Sequence, residues 1–375
     1  MRAPEMSLGE KLWQVNWGLV LLLTMIAGIG FAVLYSAAGG RVDPWALKHI
    51  IRFGVTILIM LAIALIDIRV WLQLAYPIYF AVLMLLAAVD VMGAIGMGAQ
   101  RWLDLYVIQL QPSELMKIAM VLALARYYHN LNVENIGRVR HVIPPVLIVL
   151  VPVALVMKQP DLGTALMLVF AGGAIMFAAG VRIWMLLVAI VGAGAALPVA
   201  WGMLRDYQKH RLLTFLNPEN DPLGTGYHIT QSKIALGSGG LFGKGFMAGT
   251  QGHLNFLPEK QTDFIFTMFA EEFGLVGGIV LLALFVLVLL YGFAIALRSR
   301  SHFGRILALG ISITIFLYLF INIGMVMGVL PVVGVPLPLV SYGGTAMLSV
   351  LAGCGLLISV YVHRDVIITR AGGNT

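Results

Sequence analysis

Residues 15–38 read VNWGLVLLLTMIAGIGFAVLYSAA, twenty-four residues without one Asp, Glu, Lys or Arg. A helix rises about 1.5 Å per residue and a bilayer core is about 30 Å thick, so this stretch is long enough to cross it. It is longer than the apolar core of a secretory signal and shows no convincing cleavage site, so it is read as a retained first span. Nine more stretches follow: 50–66, 72–92, 113–128, 142–157, 162–180, 183–203, 264–296, 303–328 and 340–362. The eighth is too long for one straight crossing and is expected to tilt or to begin above the membrane surface. The chain is therefore predicted to be an all-α polytopic membrane protein with about ten transmembrane helices, forming a single integral membrane domain over 1–375.

Composition agrees. Sixty per cent of residues are hydrophobic and 11% are charged, against about a quarter charged in soluble domains. Alternating strands of a membrane barrel are not visible. Cys354 is the only cysteine, so no internal disulfide is available. The net charge of +7 forms no basic stripe interleaved with aromatics, which argues against nucleic acid. It fits the positive-inside bias instead. With the N-terminus inside, the inner segments hold twelve Lys and Arg and the short outer loops five. Both termini are thus predicted cytoplasmic.

That orientation sends the loop of residues 204–263, between spans 7 and 8, to the outer face. The loop is polar and rich in glycine, yet it keeps apolar anchors such as Tyr227, Ile229, Phe242 and Phe246. A loop this long is usually functional or disordered, and these anchors argue for a partly structured one.

Ionisable side chains in or beside spans are costly and are functional candidates. In Gln111-Pro-Ser-Glu114-Leu-Met-Lys117, Pro112 or Ser113 starts a helix and Glu114 and Lys117 share a face. They are read either as a bundle-stabilising pair or as substrate-binding groups. Upstream, Arg101 beside Trp102 offers a planar fork suited to phosphate. In Lys158-Gln-Pro-Asp161, Asp161 is read as a cap for the next helix or as a site residue, with Lys158 at the outer surface. Asp263, where the large loop enters span 8, is read as a general base, a metal ligand, or with Thr262 a helix cap. Glu271 and Glu272 point to other faces, and one of them is free to pair with a cation elsewhere. The run from Gly328 to Gly344 holds three prolines and four glycines without a charge. It cannot be a regular helix, and it is expected to line a pocket, Ser341 included. The glycines around Lys244 match neither a P-loop nor, without a βαβ unit, a dinucleotide site. With Lys233 and Lys244 they suit a phosphate cradle.

Four motifs in order, Gln111-Pro-Ser-Glu114, Gln159-Pro-Asp-Leu-Gly-Thr164, Leu257-Pro-Glu-x-x-Thr-Asp-Phe-Ile-Phe266, and Asn322 with Pro331-x-x-Gly-Val-Pro-Leu-Pro-x-x-Ser-Tyr-Gly-Gly344, resemble the SEDS family (shape, elongation, division and sporulation) over nearly the whole chain. Asp221-Pro-Leu-Gly-Thr-Gly-Tyr-His228, Gln231-Ser-Lys233, Gly243-Lys-Gly245, Gly249-Thr-Gln251 and Gly98-Ala-Gln-Arg-Trp-Leu-Asp104 resemble its elongation branch rather than its division branch. The resemblance implies a peptidoglycan glycosyltransferase that polymerises lipid II at the outer face of the bacterial inner membrane during elongation. It also implies partnership with a class B penicillin-binding protein and other elongation-complex membrane proteins, and it places Asp263 on the family's essential aspartate. Such chemistry needs a base, for which Asp263 is suited. It needs cations on the leaving polyprenyl pyrophosphate, for which Lys117, Lys158, Arg101, Lys233 and Lys244 are suited, with a divalent cation (Mg or Mn) as a further candidate. A lipid II flippase or a non-catalytic scaffold are the competing readings. The charges gather at the outer face rather than midplane, and no inverted repeat is visible, which favours the enzyme.

Overall fold

The computed structural model describes residues 7–96, 99–104, 109–203, 209, 225–253 and 259–369. Gly98, Asp221–Gly224, Leu257 and Pro258 of the motifs above, and 204–208, 210–224 and 254–258 of the large loop, lie outside the described residues.

Each of the ten predicted stretches is helical. After a short α1 (Leu8–Gln14) come α2 (Trp17–Ala37), α3 (Ala46–Leu65), α4 (Ile68–Met92), α5 (Pro112–Asn130), the one-turn α6 (Val133–Ile136), α7 (Val139–Lys158), α8 (Leu162–Ala178) and α9 (Ile183–Met203). Within the large loop lie α10 (Thr225–Ser238) and the single turn α11 (Thr250–His253). The chain ends with α12 (Ile265–Arg298), α13 (His302–Val326) and α14 (Gly344–Val362). Counting the described residues alone, seven helices are long and apolar enough to cross a membrane, and the chain is a multi-pass membrane protein.

α5 stands inside the bundle. It starts at Pro112, whose missing N–H costs nothing at a first helical position. It buries residues on every side, from Met116 through Ala119–Ala125 to Tyr128, and packs on α4, α7, α8, α13 and α14. Because protein surrounds it, it can carry Glu114 and Lys117, which a lipid-facing helix could not. Small residues bring other helices close. A Cβ on Gly355 of α14 would lie 2.6 Å from the Met60 carbonyl of α3, and one on Gly292 of α12 would lie 2.0 Å from Ser312 Oγ of α13.

Two features differ from the expectation. Three short antiparallel strands follow α4: β1 (Ala94–Gly96), β2 (Ala99–Asp104) and β3 (Gln109–Leu110), with Ala94 opposite Trp102 and Leu103 opposite Leu110. The segment is too short for another helix, and pairing satisfies its backbone. The long α12 is broken by Gly274, at φ 67°, ψ −164°. It is a nine-residue piece, Ile265–Phe273, followed by a membrane-length helix.

Candidate active site

The site is built where a tight turn, residues 259–264, meets the Pro/Gly run between α13 and α14. The turn closes on Glu259, which has a positive φ of 54°. Its carbonyl accepts from the Thr262 N–H at 3.0 Å. Its carboxylate takes the Thr262 hydroxyl at 3.0 Å and the Gln261 amide at 3.3 Å. Glu259 is thus occupied with shaping the turn.

The Pro/Gly run is non-helical, as its composition requires, and it is stitched to that turn. Ser341 Oγ donates to the Thr262 carbonyl at 2.6 Å and accepts from Leu337 N–H at 2.8 Å. Tyr342 N–H donates to the Gln261 carbonyl at 2.8 Å. Asn322 of α13 donates its amide to both the Asp263 carbonyl, at 3.0 Å, and the Val335 carbonyl, at 2.7 Å. The buried backbone of an irregular segment is thereby paired, as it must be away from water.

Asp263 is held at this crossing, half-buried. The N-cap residue of α12 is Phe264, whose own side chain makes no cap bond. The Thr262 hydroxyl is turned to Glu259 instead of to the helix. Gly334, at φ 73°, faces the carboxylate: a Cβ there would lie 3.4 Å from Asp263 Oδ2.

The Gln159-Pro-Asp161 corner abuts the same run. Asp161 caps α8, accepting from Thr164 N–H at 3.2 Å and Thr164 Oγ at 2.9 Å, and receives Gln111 Nε2 at 3.4 Å. Gly163 lets α8 press on the run, since a Cβ there would lie 2.7 Å from the Val333 carbonyl. Arg101 is spent on this corner: it donates to the Gln159 carbonyl at 3.2 Å and also to that of Pro160. Lys158 is exposed beside it.

Glu114 and Lys117 pair at 2.7 Å as their spacing implies, and both are buried. Glu114 also accepts from Tyr318 OH and, at 3.4 Å, from Ser349 Oγ. Lys117 Nζ stands 4.1 Å above the Tyr318 ring. This closed network lies inside the bundle, beneath the α5 start that Gln111 and Thr345 tie to α14.

The predicted cations are thus divided. Lys244 pairs with Glu271 at 2.7 Å, which answers the open pairing of that carboxylate. Lys233 is exposed on α10. Its Nζ lies 2.8 Å from where a Gly328 Cβ would be, at the C-terminal end of α13, where the helix dipole favours a cation. Lys260 donates to the Gly252 carbonyl at 2.8 Å, and burial pulls its ammonium below the usual lysine range. Ser341 is committed to main-chain bonds.

Three contributors were missed as site residues. Asn322, an amide in an apolar helix, was quoted only as a motif position. Gly334 counted only as one glycine among several. Arg52, one of the five Lys and Arg assigned to the short outer loops, lies 4.6 Å over the Tyr342 ring. Among the described residues, no three or more His, Cys, Asp or Glu side chains gather to hold a metal ion.

The arrangement presents one carboxylate in a glycine-cleared recess, with exposed ammonium groups at the same end of the bundle. Such a site can take a proton and offer positive charge to an anion.

Comparison with known proteins supplies the lineage. The FtsW/RodA/SpoVE family model, described as cell cycle protein, matches residues 15–366. The peptidoglycan glycosyltransferase MrdB of Escherichia coli (strain K12) is 44% identical over 358 residues, which cover 93% of this chain and 94% of that protein. Stage V sporulation protein E of Bacillus subtilis (strain 168) is 34% identical, covering 91% and 95%. The solved structures include a chain of a peptidoglycan synthase complex that coordinates polymerization and crosslinking, at TM-score 0.81 and 35% identity over 93% of this chain and 98% of that one. Thermus thermophilus RodA superposes at TM-score 0.71 with 31% identity, over 93% and 97%. Carried by motifs, fold and full-length similarity together, this chain belongs to the SEDS family of FtsW, RodA and SpoVE.

Proposed function

We infer that this protein is a peptidoglycan glycosyltransferase that polymerises lipid II during cell elongation, with Asp263 as its general base. The observation that supports this most is the placement of Asp263: its main chain is fixed by Asn322, while its carboxylate faces the space that Gly334 leaves open. In the proposed reaction Asp263 takes the proton of the acceptor sugar hydroxyl. That oxygen bonds to the anomeric carbon of the donor, and the bond from that carbon to the lipid pyrophosphate breaks. The electron pair leaves with the pyrophosphate. Lys158 and Lys233, both exposed, and Arg52 beside Tyr342 are the cations suited to meet it. One carboxylate at the reacting centre suits single displacement with inversion.

Glu114, Lys117, Arg101, Asp161, Lys244 and Ser341 then support the site by shaping it, since their polar groups are bonded to protein. A divalent cation is part of the proposal. Asp263 is the residue that would hold it, as the alternative to acting as the base, and water and substrate phosphate would have to supply the remaining ligands. When bound it would neutralise charge on the leaving pyrophosphate.

The proposed setting is the bacterial inner membrane, with both termini cytoplasmic and the Asp263 end of the bundle facing outward. The proposed partner is a class B penicillin-binding protein. Support for it is the similarity to a chain from a complex that coordinates polymerization and crosslinking.

The test uses the purified protein with lipid II and Mg, with and without that partner, and Asp263→Asn alongside. Glycan ladders that vanish in the variant are expected, since general bases contribute roughly 10²–10⁴-fold. A variant that polymerises near the wild-type rate overturns the base assignment. No product from any sample turns the reading toward lipid II transport.

A further inference from the structure

A break in a membrane helix frees backbone groups that lipid cannot satisfy. At Gly274 in α12 the glycine-rich loop after α10 takes up those groups. Lys244 and Gly245 N–H donate to the Glu271 and Glu272 carbonyls, each at 3.0 Å. In return, Leu275 and Val276 N–H donate to the Gly240 and Leu241 carbonyls at 2.9 and 3.0 Å. The approach is close enough to need glycine: a Cβ on Gly243, whose φ is 79°, would lie 2.1 Å from the Glu272 carbonyl oxygen. Within the loop, Gly243 N–H bonds the Gly239 carbonyl at 2.8 Å and Ala248 N–H that of Gly245 at 3.0 Å.

The loop also hides its charge. Between Ser238 and Thr250 the one ionisable residue is Lys244, and its ammonium is paired with the fully buried Glu271. What remains outward is apolar: Leu241 is 61% exposed and Phe242 80%, with Phe246 and Met247 beside them. Through the bonds at 240 and 241 this patch runs directly into the exposed flank of α12, where Leu275 is 55% exposed and Val276, Ile279 and Val280 continue it. That flank belongs to a membrane-length helix and is left uncovered by the described residues of the chain.

Length fixes the depth. Residues 275–298 make a helix about 36 Å long at about 1.5 Å per residue, close to the roughly 30 Å core plus its margin. With Arg298 at one surface, Leu275 is at the other. We infer that the loop 239–249 is an interfacial anchor. It lies at the headgroup–acyl boundary of the leaflet on the Asp263 side, with Leu241 and Phe242 among acyl chains. The occupant of this patch is lipid, because the patch continues the uncovered flank of a membrane-length helix and carries no unpaired charge. The inference is independent of the reaction assigned to Asp263.

Cys354 is the only cysteine and is buried, so a Cys354→Ala background permits site-directed spin labelling of the full chain. Phe242→Cys is labelled and reconstituted in vesicles of phosphatidylethanolamine and phosphatidylglycerol. Ile279→Cys serves as the lipid reference and Asp365→Cys as the water reference. The ratio of oxygen to nickel-chelate accessibility at 242 is expected to lie near that at 279 and well above that at 365. A ratio matching 365 places the loop in water and overturns the inference. Exclusion of both reagents places protein over the patch and overturns it equally. Leu241→Cys gives a second reading should Phe242→Cys fail to fold.

Discussion

Asn322 and Asp263 are joined by a hydrogen bond of 3.0 Å from the asparagine amide to the aspartate's own carbonyl. The same amide holds Val335. One side chain from α13 therefore sets the separation between the proposed base and the run that faces it. Asn322→Leu should leave two carbonyls unpaired, at about 1–3 kcal/mol each. It should also lower kcat by roughly 10²-fold, the scale expected for about 1 Å of misplacement, with KM nearly constant. Steady-state polymerisation rates and thermal melts of the purified variant measure both. A normal kcat would remove Asn322 from the positioning of Asp263.

Gly334→Ala tests the recess itself. The added methyl meets a positive φ of 73°, a strain of about 1–2 kcal/mol, and stands 3.4 Å from Asp263 Oδ2. Polymerisation is expected to fall while the amount of folded protein in the membrane changes little. Full activity would mean that substrate does not pass through this space.

Lys117→Met should be among the most damaging internal substitutions. It strands Glu114, which is buried, and breaking one side of such a pair costs about 3–5 kcal/mol. Lys117→Met combined with Glu114→Gln removes both charges and is expected to recover much of the melting temperature. A double variant as unstable as the sum of the single ones would contradict this account.

His363 follows the last residue of α14 and is buried, with Nδ1 on the Ser359 carbonyl at 2.9 Å. Burial is the main cause that holds its pKa below the ordinary value of 6.5. Lys11 and Arg69 act the same way, and the Ser359 bond and Asp67 oppose them. A depressed histidine disfavours its proton in the folded state. Its stabilisation is therefore present above the unfolded pKa of about 6.5 and drains as pH falls below it. Melting temperature should drop between pH 7.5 and 5.5 more steeply in the wild type than in His363→Asn. Equal slopes would refute the assignment.

Much of this fold was legible because lipid imposes a simple rule on sequence. Runs such as 15–38 have one viable conformation in a bilayer, and their helices appear within a few residues of the expected bounds. The pairing of Glu114 with Lys117 followed from spacing, and the capping by Asp161 from its place before Leu162. What could not be read was the commitment of each cation. Arg101, Lys244 and Lys233 look alike in sequence, yet one seals a corner, one neutralises Glu271 and one stands exposed at a helix end. Those fates depend on contacts between residues far apart in the chain. The break at Gly274 was equally hidden, since its φ of 67° serves a loop that arrives from thirty residues upstream.

That break has a mechanical consequence. The piece Ile265–Phe273 is a strut of about 13 Å, fastened at both ends. At one end Asp263 is tied to α13 and the Pro/Gly run. At the other, Glu271 receives Lys244, Thr250 and Gln251 from the glycine-rich loop. The nine-residue piece therefore joins two fastenings that lie far apart in the chain, and a displacement of the glycine-rich loop reaches the turn that holds Asp263 through a short helix rather than through a slack connector.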